Sequence, residues 1–190
     1  VINISTQKDI KIEIETKDSK NEFDKIIICA GAWSNELSLI VGDRFPLESE
    51  RGYHVMYRQE ENRISRPISW QERGTYFTPM NEGLRVGGVV EFGGKTKGLN
   101  PKVIKFLQRT AKLLFPNIKE HDSEWVGFRP SLPDSIPVIG QSPKNPYIYY
   151  CFGHQHVGWT LGGISGKLIA QEVSANKTDI DLKSFSAERF

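Results

Sequence analysis

Two short apolar runs, each followed by a glycine and then by a helical pattern, constrain the fold of this sequence more than any other feature. The first run covers residues 25–30 and ends at Gly31, and the second covers residues 147–152 and ends at Gly153. Neither run alternates between polar and apolar residues, which is typical of strands covered on both faces, as in parallel sheets. Ligands of open α/β sheets bind beyond the carboxyl ends of such strands. We therefore expect a ligand site at these two glycines.

The stretch between the two runs has a different pattern, which predicts an antiparallel sheet and one helix. Residues 53–57, 75–79 and 84–90 have strand composition, and the Asn-Glu-Gly segment at 81–83 predicts a hairpin turn between the last two. The Asn-Pro pair at 100–101 predicts the start of a helix, with asparagine as the cap and proline in the first turn. An α/β domain interrupted by a β-rich insertion is the simplest arrangement of these patterns.

The remaining segments give more local predictions. Residues 1–30 are predicted to form a β-meander, because residues 10–15 alternate between isoleucine and charged side chains. Ser34 is predicted to cap a short helix. A second helix should start in the glycine-rich segment and end near residue 175, with Ile164, Leu168, Ile169 and Val173 on one face. The polar tail, residues 176–190, is predicted to be loosely packed.

Composition excludes several classes of protein. The 190 residues carry 25 Lys and Arg against 23 Asp and Glu, a net charge of +2, which argues against a nucleic-acid-binding stripe. No apolar run approaches the ~18 residues of a membrane-spanning helix. The two cysteines, Cys29 and Cys151, are too few for a disulfide-rich scaffold and are interpreted as small buried apolar side chains. His154 and His156 form an H-x-H pair without an evident third ligand, so no metal site is predicted.

Three motifs in order resemble the D-amino-acid oxidase/dehydrogenase superfamily of FAD enzymes. The sequence IICAGAWS at 27–34 resembles its AGAWS segment. The sequence GFRPSLPD at 127–134, followed by PVIG at 137–140, is similar to its GxRPxxPDxxPxIG segment. The sequence GHQHVGWTL at 153–161 resembles its GHxxxGWT flavin loop. Within the superfamily, ERGY at 50–53 is most similar to bacterial D-amino-acid dehydrogenases.

The chain departs from the family pattern at one point, because it has no G-x-G-x-x-G phosphate loop. It therefore resembles only the C-terminal half of such an enzyme. The fold class implied is α+β, the C-terminal part of an FAD-binding α/β domain interrupted by an antiparallel-sheet substrate domain. Residues 1–45 and 126–190 would belong to the FAD domain and residues 46–125 to the substrate domain.

The resemblance implies the oxidation of D-amino acids to imino acids by hydride transfer to flavin N5, with a quinone or oxygen as the electron acceptor. Two alternatives remain open: a glycine or sarcosine-type oxidase, and a non-catalytic binding or assembly module. The partners implied are an amino-acid substrate and the missing N-terminal half. Homo-oligomers are expected, because residues 26–29 and 149–152 would lose their cover without that half. The implied location is the cytoplasm, or the inner face of the membrane as a peripheral protein.

The resemblance also implies which residues contact the substrate. Arg129 is the first candidate for binding the substrate carboxylate, because arginine binds a carboxylate through two parallel hydrogen bonds. The alternative is a surface arginine paired with Asp134. Arg51 is a second candidate, with Glu48 and Glu50 as competing partners. Tyr76 and Tyr53 are candidate pocket donors, and packing in a core or an interface is an equal alternative for both tyrosines.

The flavin contacts come from the same motifs. Some relatives bind flavin covalently through a cysteine just before the proline-aspartate segment. Because residues 125–129 contain no cysteine, the FAD is expected to be non-covalent. Amides at a helix start would stabilise the negative charge of a reduced flavin. Trp33 has core packing as an alternative. The candidate cofactor-binding residues are Val1, Ala30, Gly31, Trp33, Gly153, His154, Gln155, His156, Val157, Gly158, Trp159 and Thr160.

Overall fold

A computed structural model describes residue 1, residues 3–6 and residues 11–190. The chain divides into two compact units. The first unit is made of Val1–Glu48 and Arg129–Phe190, and the second unit is Ser49–Phe128. These divisions lie close to the expected domain boundaries at 45/46 and 125/126.

The elements follow one another in this order. The strands are β1 Asn3–Thr6, β2 Ile12–Glu15, β3 Lys20–Phe23, β4 Ile26–Ile28, β5 Glu48–Tyr57, β6 Ile68–Trp70, β7 Thr75–Met80, β8 Gly83–Phe92, β9 Ser123–Ser131, β10 Val138–Gln141 and β11 Ile148–Phe152. The helices are α1 Ser34–Ile40, α2 Pro101–Leu114 and α3 Gly158–Val173. Short 3-10 turns cover Gly31–Trp33, Gln71–Arg73, Lys183–Phe185 and Ala187–Arg189.

The first unit contains two small sheets. Strands β1, β2 and β3 form the predicted antiparallel meander, with Ile12 and Ile4 buried in the core. Ile10, which belonged to the alternating pattern, lies outside the described residues. In the second sheet β11 is central, paired antiparallel with β10 and parallel with β4. The parallel pairing of the two apolar runs agrees with the sequence prediction.

The prediction that both runs are central and covered on both faces was wrong for β4. This strand is at the edge of its three-stranded sheet, and the side chain of Ile27 is 41% exposed. The expectation that residues 149–152 lose their cover was also wrong. Tyr149, Tyr150 and Phe152 are buried, because α3 packs over Tyr149 on one face and the core around Phe45 covers Tyr150 and Phe152 on the other.

The second unit is a five-stranded sheet in the order β6-β7-β8-β5-β9, with α2 packed against it. The predicted hairpin joins β7 to β8, with Met80 opposite Gly83. The predicted start of α2 is confirmed, because the Asn100 side chain accepts a hydrogen bond from Lys102 N at 3.0 Å. Ile104, Leu107 and Ala111 are buried on the face of α2 that packs on the sheet. The short strand β6 was not predicted.

Three local predictions were wrong. Ser34 is the first residue of α1 rather than its cap, because the preceding 3-10 turn makes Trp33 the cap residue. Ile164 is 46% exposed, whereas its predicted companions Leu168 and Ile169 are buried on α3. The tail is not loosely packed, because Ala187 is buried in the core and Arg189 donates to Ile136 O at 2.5 Å.

Candidate functional site

The two predicted ligand segments lie side by side in the first unit. Ala30 and Gly31 follow the end of β4, and Gly153 follows the end of β11. The parallel register places Ile28 opposite Tyr150, so both strands deliver their following residues to the same edge of the sheet. This is the position at which open α/β sheets bind ligands.

Both glycines have backbone conformations that other residues rarely adopt. Gly31 has φ +55°, and the space where a side chain would begin is open for 4 Å. Gly153 has φ +89°, and a Cβ there would lie 2.6 Å from Leu132 Cδ1. At Gly153 a side chain is excluded by both strain and contact. At Gly31 the open space instead allows another group to approach the backbone closely.

The loop between β11 and α3 is held in place by two hydrogen bonds. Gln155 N donates to Pro130 O at 3.1 Å, which ties the loop to the residue after Arg129. His154 Nε2 lies 2.9 Å from Ser165 Oγ, which belongs to α3. Burial lowers the pKa of His154, which favours its neutral form.

The N-terminus of α3 presents backbone amides at the end of this loop. The first hydrogen bond at the helix start runs from Leu161 N to Val157 O at 2.9 Å, so the amides of Gly158, Trp159 and Thr160 precede the helical ladder. No side chain caps them. Such amides carry partial positive charge and favour an anionic group. Trp159 is fully exposed, at 101% of its reference area.

Arg129 lies at the start of the C-terminal part of the first unit, and its side chain is half-buried. Its Nη1 atom is buried and has no hydrogen-bond partner among the described residues. The competing expectation, a pair with Asp134, is not met, because Asp134 Oδ2 accepts from Arg189 Nε at 2.7 Å. Burial disfavours ionisation of Asp134, but the Arg189 guanidinium and the Ile136 amide outweigh it and lower the pKa of this carboxyl.

The other substrate candidates lie in the second unit, where Arg51 and Tyr53 belong to one buried network. Arg51 is 1% exposed, its Nη2 donates to Lys97 O at 2.9 Å, and its Nε is 3.5 Å from Glu91 Oε2. The Tyr53 hydroxyl donates to Glu91, and burial together with this bond raises the pKa of Tyr53. The partners recorded for Arg51 in the described residues are Glu91 and the carbonyls of Lys97 and Gly98.

Tyr76 has different surroundings. It lies on β7 opposite Gly87 of β8, and its side chain is 52% exposed. Of the three candidates in the second unit, it is the one whose side chain is largely accessible. Its geometry therefore leaves a contact role open, whereas Tyr53 is engaged within the unit and Arg51 uses its Nη2 there, with its Nε lacking a hydrogen-bond partner among the described residues.

Four other candidate residues are exposed in the first unit. Val1 and Trp33 are 60% and 52% exposed, and Trp33 is therefore not a core residue of this chain. His156 and Val157 are exposed on the loop. Among the described residues, no group of three His, Cys, Asp or Glu side chains is placed to hold a metal ion.

Two serines that the sequence did not single out for the site carry buried hydroxyls without partners. Ser34 Oγ and Ser131 Oγ have no hydrogen bond within the described part of the chain. Each follows a motif residue directly, Ser34 after Trp33 and Ser131 after Pro130. Unsatisfied buried hydroxyls are uncommon in proteins and call for an explanation, such as a ligand or an ordered water. The sequence feature that could have identified these two serines is their position inside two of the motifs.

Comparison with models of protein families shows which family this chain belongs to. The model of FAD dependent oxidoreductases matches residues 1–172, most of the chain. The chain belongs to this family of FAD-dependent oxidoreductases. The cofactor of this family is FAD, and the segments after β4 and β11 are the predicted ligand segments that the sheet brings together.

Curated relatives and a solved structure agree with the family. A D-amino-acid oxidase of Bradyrhizobium diazoefficiens is 35% identical over 184 residues, which cover 94% of this chain and 44% of that protein. A glycine oxidase of Pseudomonas putida is 26% identical, covering 92% of this chain and 48% of that protein. The structure of glycine oxidase from Geobacillus kaustophilus aligns with a TM-score of 0.88 at 24% identity, over 100% of this chain and 52% of that one.

This flavoprotein chain spans about half the length of the curated relatives that it matches. Within the described residues, no helix has both the length and the apolar character needed to cross a membrane.

Proposed function

We propose that this chain is the C-terminal half of an FAD-dependent enzyme that oxidises D-amino acids to imino acids. The observation that carries the proposal is Arg129, whose buried Nη1 lacks a partner. A buried guanidinium nitrogen without a hydrogen-bond acceptor is costly, and the cost is removed when an anion accepts a hydrogen bond from it. An amino-acid substrate supplies such an anion as its carboxylate.

The position of Arg129 supports this role. The next residue, Pro130, accepts a hydrogen bond from Gln155 of the loop between β11 and α3. Arg129 is thus anchored beside the segment that matches the flavin loop. Because Arg189 already neutralises Asp134, the guanidinium of Arg129 is available for a bidentate contact with a carboxylate.

The first unit also fits the flavin. Ala30 and Gly31 would approach its ribose and phosphates through the open space at Gly31, and the amides of Gly158, Trp159 and Thr160 would face the part of the ring that becomes negatively charged. Non-covalent FAD, when bound, would supply the hydride acceptor, N5, for the hydrogen on the substrate Cα. The residues 1–45 and 126–190 would form the cofactor domain.

The residues of the chain would then bind and orient the substrate rather than exchange protons with it. Arg129 would hold the carboxylate, which orients Cα. Residues 46–125 would form the substrate domain, with Tyr76 as its accessible donor and the network of Arg51, Tyr53 and Glu91 as a rigid support. The amides at the start of α3 would stabilise developing negative charge, because they are fixed before the reaction and need no reorganisation.

One relative favours a second candidate function, a glycine or sarcosine-type oxidase. The match to a glycine oxidase covers nearly the whole chain at 26% identity, so this chain does not by itself select the substrate. In either case we propose an N-terminal half as partner and a quinone or oxygen as the electron acceptor. Homo-oligomers, and a cytoplasmic location or peripheral attachment to the inner face of the membrane, are part of the same proposal.

The test uses a full-length flavoenzyme that carries this chain as its C-terminal half, with the N-terminal half taken from the Bradyrhizobium relative if necessary. Bleaching of the flavin absorbance is followed without oxygen for D-alanine, L-alanine, glycine and sarcosine. Reduction by the D-enantiomer at least tenfold faster than by the others supports the proposal. Preference for glycine or sarcosine selects the second candidate, and flavin that none of them reduces contradicts both.

A further inference from the structure

The two cysteines of the chain, which sequence analysis treated as small buried side chains, are neighbours at the carboxyl ends of two adjacent strands. The parallel register pairs Ile28 of β4 with Tyr150 of β11, and Cys29 and Cys151 are the residues that directly follow this last pair along the two chains. Each thiol influences the pKa of the other, as expected for side chains at the same end of two paired strands. Neither is fully buried: Cys29 is exposed and Cys151 is partly buried beside Tyr149 and Leu168.

We propose that Cys29 and Cys151 form a reversible redox pair that closes to a disulfide when the chain meets a hydroperoxide. The pair is built by the sheet itself, because the two strands must align in this register to bury Ile26, Ile28, Ile148 and Tyr150. The pairing of the two strands therefore determines the positions of the two cysteines.

The spacing of the sheet suits the bond. Neighbouring strands lie about 4.8 Å apart, and disulfides form between Cα atoms about 4.4–6.8 Å apart. Cys29 follows the last residue of β4 and is not part of the strand ladder. It can therefore adjust its backbone to bring the two Cβ atoms closer, whereas Cys151 stays fixed inside β11.

The two sulfurs have different chemical roles. Donation of a hydrogen bond by the Cys151 thiol lowers the pKa of Cys29 to about 7, although partial burial opposes this shift. The same contact, together with burial, raises the pKa of Cys151. Because the thiolate is the reactive form and Cys29 is exposed, Cys29 attacks the peroxide and Cys151 resolves the product.

The disulfide forms in two steps. The Cys29 thiolate attacks one peroxide oxygen, the O–O bond breaks, and Cys29 becomes a sulfenic acid while hydroxide or alkoxide leaves and takes up a proton. The Cys151 sulfur then attacks the Cys29 sulfur, the S–S bond forms, the S–O bond breaks, and the hydroxyl leaves as water with the Cys151 proton. Two thiols lose two electrons and two protons, and the hydroperoxide is reduced to an alcohol and water, or to two waters from hydrogen peroxide.

The bond would connect the two ligand segments of the first unit. Cys29 directly precedes Ala30 and Gly31, and Cys151 lies just before Gly153. An effect on flavin binding rests on the proposed function, whereas the formation of the disulfide does not.

The experiment treats the reduced full chain with increasing hydrogen peroxide and measures its intact mass and its peptides under non-reducing conditions. The expected result is a monomer that has lost two hydrogen atoms, a peptide linking Cys29 to Cys151, and complete reversal by dithiothreitol. Since the chain has only 2 cysteines, the mass loss in a monomer identifies the bond. Disulfide-linked dimers, or Cys29 oxidised without any linked peptide, would overturn the proposal.

Two matched variants test the assigned roles. In Cys151→Ser, Cys29 should stop at the sulfenic acid, which dimedone captures. In Cys29→Ser, Cys151 should stay reduced at the dose that fully oxidises the wild type. If Cys151 oxidises equally fast without Cys29, the two cysteines are not a pair and the proposal fails. Far-UV circular dichroism checks that each variant is folded, and the wild-type peptide map decides the question even where a variant is not.

Discussion

Three buried polar groups without hydrogen-bond partners lie in or beside the motif segments of the first unit. Arg129 Nη1, Ser34 Oγ and Ser131 Oγ are all buried without partners in the described residues, and all three lie within or next to the segments that match flavoenzyme motifs. Each unsatisfied group of this kind costs roughly 1–3 kcal/mol. Buried polar atoms without partners in the described residues also occur in the second unit, at Arg51 Nε and Thr110 Oγ1, so it is the position of the three groups in the motifs that supports the proposed site.

His154 gives a prediction about pH at the same scale. Its folded-state pKa is lowered by burial from an ordinary value of 6.5, so the unfolded chain binds more protons at this site in mildly acidic solution. The stabilising contribution is therefore present above about pH 6.5 and is lost as the pH falls toward the folded-state value. We expect the first unit to lose stability as the pH falls below about 6.5.

Hydrogen exchange of peptides from β11 and α3 measures this loss without interference from the second unit. His154→Gln should reduce the pH dependence, because glutamine does not titrate. The exposed His156→Gln is the matched control and should keep the wild-type slope. A His154→Gln protein with an unchanged slope would show that another group is responsible.

At the scale of elements, the C-terminal 3-10 turns are held against the rest of the first unit by hydrogen bonds and core packing. Arg189 pairs with Asp134 and donates to the carbonyls of Phe185 and Ile136, while Ala187 packs in the core. Hydrogen bonds to charged groups contribute about 1.5–3 kcal/mol. We expect Arg189→Gln to lower the free energy of unfolding of the first unit by about this amount.

Urea unfolding, followed by hydrogen exchange of peptides from β10, checks this prediction. The control is Arg44→Gln, since Arg44 is exposed in the same unit. It should change the free energy of unfolding by less than about 0.5 kcal/mol. Equal effects of the two variants would mean that the tail contributes no more than an ordinary surface arginine.

The elements also show what the sequence could and could not predict. The parallel pair β4 and β11, the hairpin β7–β8 and the start of α2 were predictable, because each depends on a local pattern or a turn residue. The packed tail was not, because its partner Asp134 is distant in sequence and the polar composition is typical of loose segments. Likewise, the pairing of Arg51 with Glu91 requires the register of β5 and β8, which no local pattern contains.

At the scale of the whole molecule, several large apolar side chains of the first unit are exposed. Trp159 is fully exposed, Trp33 and Ile164 are 52% and 46% exposed, and Ile27 is 41% exposed on the edge strand β4. Such groups near a ligand segment are typical of an interaction surface. They agree with the proposed N-terminal half, which would also supply the phosphate loop that this chain does not contain.

We therefore expect the chain alone to bind FAD weakly, with a dissociation constant above the micromolar range. Adding the N-terminal half of the Bradyrhizobium relative should tighten binding, because helix amides of a phosphate loop provide much of a pyrophosphate site. Quenching of flavin fluorescence measures both constants, and light scattering reports association of the chain. Submicromolar binding by the chain alone would contradict this expectation.

The role of Arg129 is the central claim, and the preference for an acid over its amide tests it most directly. In a full-length flavoenzyme containing this chain, kcat/KM is measured for a D-amino acid and for the matching amide, which lacks the carboxylate. Arg129→Met keeps the apolar volume and removes the charge, and Arg44→Met is the control. Loss of a charge-assisted contact of about 1.5–3 kcal/mol corresponds to a drop of about 10- to 150-fold in kcat/KM for the acid.

The account predicts that the wild type and Arg44→Met strongly prefer the acid. Arg129→Met should lose that preference through a higher KM, while its flavin spectrum and FAD affinity stay unchanged. An Arg129→Met enzyme that binds FAD normally and still discriminates acid from amide as the wild type does would contradict the assignment of Arg129 to the substrate carboxylate.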